Sequence, residues 1–307
     1  MSAYRFCRTD DIGLLVDALN RCWAPYVPDE PEMTSAAFKR SIRDLQVWCS
    51  SCMVAFSGSA PIAVEIGAKR PSGTLIHKIA VHPDHRRQGH GRHLLTSLSS
   101  KLAILGPPRL IAEVPETLAP ACELFGATGY VQEARLADYV LRCEENDAAG
   151  FAGMSGDQSG GRFVIPVTVD DLAANGLLGE AHPPVCWERS VETLTARKNE
   201  IAGLAVASDE RIEAYVLYVK DEVDPEGNAE AAQRAGATTT AIVSLRSFIE
   251  DGGTRLKLLI SRVCAGGART FRLTKVHPAE ISKELLETIG FRAGDGHRLY
   301  AARARSD

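Results

Sequence analysis

The stretch that most constrains this chain is residues 76–95, Ile-His-Lys-Ile-Ala-Val-His-Pro-Asp-His-Arg-Arg-Gln-Gly-His-Gly-Arg-His-Leu-Leu. An apolar run over 75–81 reads as a strand. Pro83 and a charged, glycine-containing turn end it, and a helix follows at once, with Leu94, Leu95, Leu98, Leu102 and Leu105 on one stripe. Gly89 and Gly91 remove Cβ atoms where a backbone must come close to a ligand. The helix aims unpaired N–H groups and the positive end of its dipole into that turn, and Arg86, Arg87 and Arg92 add cations. This combination predicts a site for a phosphate or pyrophosphate. It is not a Walker A loop, because no Gly-Lys-Ser/Thr is present, and the glycine spacing is not that of a dinucleotide fingerprint.

Around this stretch the chain reads as a two-domain protein. Its 307 residues fit about two domains. Residues 146–161, dominated by Gly and Ser, read as a linker between a domain at 1–145 and another at 162–307. The first half orders as two helices, a hairpin (53–56 with 62–66), a strand, the glycine-turn helix, a strand (109–114), a short helix (119–128) and a strand (134–142), which argues an α/β or α+β fold. Thr9-Asp10-Asp11 is an N-cap signature for the first leading helix, and Thr34 can cap the second. A net charge of −4, with no basic half, excludes the electrostatic footprint of a general nucleic-acid binder. No apolar run approaches the roughly 18 residues of a membrane helix, and the first residues lack the apolar segment of a secretion signal. The expected setting is cytoplasmic, with all eight cysteines reduced. Cys49-x-x-Cys52 has no second pair, and the histidines of 77–93 have no acidic or cysteine partner at ligand spacing, so no metal site is expected.

The glycine turn resembles the signature of the GCN5-related N-acetyltransferases. Arg86-x-x-Gly89-x-Gly91 matches its Arg/Gln-x-x-Gly-x-Gly/Ala, and Ala80-Val81-His82-Pro83 supplies the usual approach strand. Ala121-x-x-Leu124-Phe125-x-x-x-Gly129-Tyr130 matches the spacing of the family's later motif. The resemblance implies an acyl-CoA N-acyltransferase fold: a mixed, mostly antiparallel sheet splayed between two central parallel strands. It implies acetyl-CoA as cosubstrate in the opening between 75–81 and 109–114. The strand backbone at Ile79, Ala80 and Val81 would pair with pantetheine, and Arg86, Arg87, Gln88, Gly89, His90, Gly91 and Arg92 would hold the pyrophosphate. The implied reaction is direct attack by an amine in a ternary complex. The acceptor is a small-molecule amine or, alternatively, a protein or peptide amine, and oligomeric state is left open. A different class, a non-catalytic acyl-CoA-binding regulator, is favoured by one departure. The family's common general acid is a tyrosine at the position of Phe125, which has no proton to give.

Two residues are candidates for removing the acceptor's proton. His77 precedes Ile79 by two and Val81 by four, which in regular strand alternation puts it on their face, and imidazole titrates near neutrality. Glu65, on the preceding strand, is the other. Trp23, Tyr26, Asp29, Glu30 and Glu32, between the two leading helices, are candidates for an acceptor wall that suits a cationic amine.

The second half looks like a degenerate copy. Leu285-Leu286-x-x-x-Gly290-Phe291 repeats Leu124-Phe125-x-x-x-Gly129-Tyr130. At a similar offset, 241–243 aligns with 79–81, and Glu250 and Asp251 fall on Arg87 and Gln88, where carboxylates would repel a pyrophosphate. Residues 221–237 read as an insertion.

Overall fold

The computed structural model describes residues 2–28, 30–143, 163–178, 185–220 and 239–305. The expected linker at 146–161, the insertion at 221–237 and Asp29 lie outside the described residues. The chain forms two compact units, Met1–Arg135 with His297–Asp307, and Leu136–Gly296.

In the first unit, β1 (Ser2–Phe6) is followed by α1 (Ile12–Cys22), a 3-10 turn at Ala24–Tyr26, and α2 (Ser35–Leu45). Next come β2 (Met53–Ser57), β3 (Ala60–Arg70) and β4 (Gly73–Val81), then α3 (His90–Leu105), β5 (Arg109–Pro115) and α4 (Ala119–Ala127). β1 was not legible in the sequence. Thr34 caps α2 as expected, its hydroxyl accepting from the Ala37 amide. Asp11 precedes α1, but its carboxylate makes no capping bond; it turns back to accept from the Arg8 amide and from Arg5.

β6 (Val131–Arg142) and β12 (Arg292–Arg303) each cross a unit boundary. The first unit's sheet runs β1-β2-β3-β4-β5-β12, closed by His297–Arg303 antiparallel to β5. The second unit comprises β7 (Phe163–Pro166), α5 (Val169–Ala174), a 3-10 turn at Trp187–Arg189, α6 (Val191–Ala196), β8 (Ala202–Ala207), β9 (Ile212–Lys220), β10 (Thr239–Ser247), α7 (Thr254–Ala265), β11 (Thr270–Val276) and α8 (Lys283–Ile289). Its sheet runs β6-β11-β10-β9-β8-β7, closed by the β6 residues from Ala137 to Arg142. Each unit therefore takes its last strand from the other half of the sequence. That is where the compact units depart from the division expected at 145 and 162.

The stripe on α3 is buried except at its end, where Leu105, the last residue of the helix, is exposed. Leu94, Leu95, Leu98 and Leu102 are all buried, packed with Ile76, Leu110 and Phe125 or with Met53 and Ala63. Truncating one such leucine costs roughly 2–5 kcal/mol. One expectation about the thiols is corrected: Cys143 and Cys264 are joined in a disulfide, while the other six cysteines are free and buried. Among the described residues no helix is long and apolar enough to cross a membrane.

Candidate functional site

The site begins with two strands that part. β4 and β5 pair in parallel only at Thr74↔Leu110 and Leu75↔Ile111, although both strands continue past those pairs. A bulge accompanies the parting: Ile66 faces Lys78 and Gly67 faces Ile76, so His77 is the extra residue of β4. A bulge bends its strand, so β4 turns away from β5 at this point. Beyond it, the His82 amide bonds Ile62 O across β3 at 2.8 Å. Backbone groups alternate in direction along an antiparallel edge, so the N–H and C=O of Val81 and of Ile79 face the gap.

The turn at the end of β4 places α3 over that gap. Gly89 is the N-cap, at φ 86°, and no side chain caps the helix behind it. The amides of the first turn, His90, Gly91 and Arg92, are thus presented for an external acceptor. Arg87 adopts a left-handed φ of 61°, unusual for a residue with a Cβ. Gly91 matters for a different reason: a Cβ there would meet Leu124 Cδ2 at 2.9 Å and the leucine side chain would have to shift.

These elements enclose a cleft of about 510 Å³. Of the predicted cofactor residues, Ile79, Ala80, Val81, Arg86, Arg87, Gly89, His90, Gly91 and Arg92 line it, and Gln88 does not. The far wall comes from α4 and its approach, through Leu118, Pro120, Ala121, Glu123 and Leu124, next to the family-like second motif. Sequence reasoning missed a partner at the helix start. Tyr4, on β1, bonds His90 Nδ1 at 2.6 Å, and its ring packs 3.8 Å from that of His93. Burial, helped by nearby His85 and His93, pushes the His90 pKa down.

The two predicted bases fare differently. The alternation that placed His77 on the face of Ile79 and Val81 fails, because the bulge falls on His77 itself, and His77 does not line the cleft. It sits at the bend where the gap opens. Glu65 pairs with Ile79 across β3 and β4 but is fully buried and also does not line the cleft. Neither of its carboxylate oxygens has a hydrogen-bond partner among the described residues. Burial pushes its pKa well above the carboxylate range, opposed only by Lys101. Phe125 is a core residue, edge-on to Tyr130 at 5.1 Å and stacked on Tyr300 at 5.7 Å. The Tyr130 phenol is buried, which raises its pKa.

The residues expected to form an acceptor wall are engaged with one another and with Lys78. Lys78 Nζ lies 4.1 Å over the Trp23 ring, and Trp23 Nε1 and Lys78 Nζ both donate to Glu30 Oε2, at 3.1 and 3.2 Å. Glu30 is thus engaged by a lysine that the sequence did not single out. Among the described residues no group of three His, Cys, Asp or Glu side chains is arranged to hold a metal ion.

The second unit repeats the frame with different contents. β10 and β11 pair in parallel from Thr239 to Ala241, and β10 bulges at Val243. Gly253 caps α7 at φ 82°. These landmarks correct the sequence alignment. Val243 stands where His77 stands, so 245–247 rather than 241–243 correspond to 79–81, and Asp251 falls on Arg87 rather than on Gln88. Asp251 accepts from the amides of Gly253 and Arg255, both at 3.0 Å, and from the Arg255 guanidinium at 2.6 Å. Arg189, in the turn against β10, is buried, ion-paired with Glu280, and donates to Lys275 O on β11 at 3.2 Å. The chain's own groups satisfy this helix start and cross this groove.

The sequence model of the Acetyltransferase (GNAT) family matches residues 15–130. No curated protein matches the chain. Solved structures share the fold across both units. A tandem GNAT protein from the clavulanic acid biosynthesis pathway, solved without AcCoA, superposes with a TM-score of 0.63 at 16% identity, covering 100% of each chain. A GCN5-related N-acetyltransferase from Sphaerobacter thermophilus gives 0.64 at 15%, over 99% of this chain and 96% of that one. Another from Kribbella flavida gives 0.60 at 14%, over 99% and 71%. Residues 15–130 thus match the GNAT family model, and the fold of the chain is that of tandem GNAT proteins.

Proposed function

We propose that the first unit transfers acetyl from acetyl-CoA to a small-molecule amine by direct attack within a ternary complex. The observation that carries this reading is the uncapped start of α3 over a gap into which β4 turns backbone groups that β5 does not pair. Phosphates on the amides of 90–92 and on the nearby arginines, with an amide-bearing arm along Ile79 and Val81, would direct an acyl group toward the bend at His77. His77 is the proposed base, taking a proton from the acceptor nitrogen so that the free amine adds to the thioester carbonyl, after which the C–S bond breaks and CoA leaves as the thiolate. Glu65 is sealed beneath α3 and reaches the acceptor only if that cover opens. The thiolate needs no acid, because a thiol with a pKa near 8.5 is a modest base, so Phe125 is compatible with turnover.

The test is release of free CoA from acetyl-CoA across a panel of amines. Turnover on one amine class supports the proposal. Tight binding with no turnover on any amine favours the non-catalytic binder, the reading that Phe125 also supports. A peptide amine outcompeting every small amine would move the acceptor class to protein.

A further inference from the structure

In the first unit one phenol occupies both kinds of group that the cleft offers a ligand. Tyr26, the last residue of the turn after α1, donates its hydroxyl hydrogen to the Val81 carbonyl at 2.6 Å. The same oxygen accepts from Arg86 Nε at 2.8 Å, and the guanidinium lies 4.3 Å over the ring. Val81 O is one of the backbone acceptors facing the gap, and Arg86 is one of the cations beside the helix start. Tyr26, Trp23, Val81 and Arg86 all line the cleft. The segment is held a second time at Trp23, by Lys78 and Glu30, and Glu30 is half exposed.

We propose that Tyr26 is a latch. Its phenol takes the hydrogen-bonding places that an amide N–H and a phosphate oxygen of an acyl-CoA would take. Acyl-CoA enters by lifting the strap of residues 23–26 from β4. This rests on the acyl-CoA reading above. The exchange is close to balanced, since Val81 O and Arg86 are satisfied both before and after, and a buried polar group left unpaired would be costly. Trp23, the other end of the strap, belongs to the acceptor wall, so lifting the strap to admit the cofactor also rebuilds the surface that meets the amine. The second unit holds its turn at Trp187–Arg189 differently. Its turn is anchored by the buried Arg189–Glu280 pair rather than by a phenol and a half-exposed carboxylate.

The test is Tyr26→Phe, which keeps the ring over Arg86 and removes only the hydroxyl. The variant no longer has a competing donor on Val81 O, so acetyl-CoA should bind about fivefold tighter by titration calorimetry, the effect of one ordinary hydrogen bond. Acetyl-CoA should also change the intrinsic fluorescence of the wild-type protein, and Trp23→Phe should abolish that change. Equal or weaker binding by Tyr26→Phe overturns the latch while leaving the cofactor reading intact, as does a fluorescence change that survives Trp23→Phe. Failure of both wild type and variant to bind acetyl-CoA overturns the cofactor reading and the latch with it.

Discussion

The turns before α3 and α7 share one backbone and hold opposite charges. Both end on a left-handed glycine N-cap, Gly89 at φ 86° and Gly253 at φ 82°, and both follow a bulged strand paired in parallel with its neighbour only at its start. Two residues before the cap stand Arg87 in one and Asp251 in the other. The arginine leaves the helix amides to an outside anion, whereas the carboxylate bonds them from within. The same backbone turn can therefore be satisfied from within by one carboxylate, as at Asp251, or start without a side-chain cap, as at Gly89. Backbone conformation creates the positive potential, and the nearest charge decides what neutralises it.

The bulge residue offers the sharpest way to break the comparison. His77 in the first unit corresponds to buried Val243 in the second. His77→Val should lower kcat/KM by about 10²–10⁴, the usual worth of a general base, and remove the acid limb of the pH–rate profile near the imidazole pKa. A variant whose pH profile matches wild type would take His77 out of the mechanism. Next in size is the plug of the second unit. Glu280→Gln leaves the Arg189 cation buried without its counter-charge and should cost roughly 3–5 kcal/mol of stability in denaturant titrations. A loss under 1 kcal/mol would mean that the turn is not held by this pair.

Arg87→Asp imports the second unit's charge into the first. Its KM for acetyl-CoA should rise about tenfold to a hundredfold, with circular dichroism unchanged, and less so at high salt. A salt-independent KM would argue against an electrostatic role. The converse, Asp251→Asn, should be the mildest, costing about 1 kcal/mol as the loss of a cap. Its pH dependence has a defined sign. Burial pushes the Asp251 carboxyl up, but the bonds from Arg255 and Gly253 outweigh it and hold the carboxyl below its ordinary range. The depressed carboxylate therefore stabilises wild type above the unfolded value of about 4, and that part is lost as pH falls through the folded value. Thermal melts of wild type and Asp251→Asn should converge on acidification below about pH 4. A gap that stays constant with pH would assign the cap to shape rather than charge.

Much of the first site was legible because its chemistry is local. Gly89, Gly91 and the arginines lie within one turn, and the stripe from Leu94 to Leu102 is a property of α3 alone. The partners that complete the cleft were not legible. Tyr4 meets His90, Tyr26 meets Val81 and Lys78 meets Glu30 across 48–86 residues of chain, and no local period announces such pairs. The misreading of His77 has the same origin. Strand alternation is a two-residue rule, and a bulge, set by pairing with β3, breaks it without leaving a mark in the strand's own composition.

By itself the sequence determined where the glycine- and arginine-bearing turn lies, that it continues into an amphipathic helix, and that the corresponding stretch of the second half carries carboxylates instead. Those features follow from backbone sterics, helical period and charge over a few residues. Only the tertiary structure decided that each unit closes its sheet with a strand from the other half, that Asp251 and the Arg189–Glu280 pair fill the second groove, and that Tyr26 lies across the first. Those outcomes depend on which distant groups satisfy one another's hydrogen bonds and charges, and a linear pattern does not encode that selection.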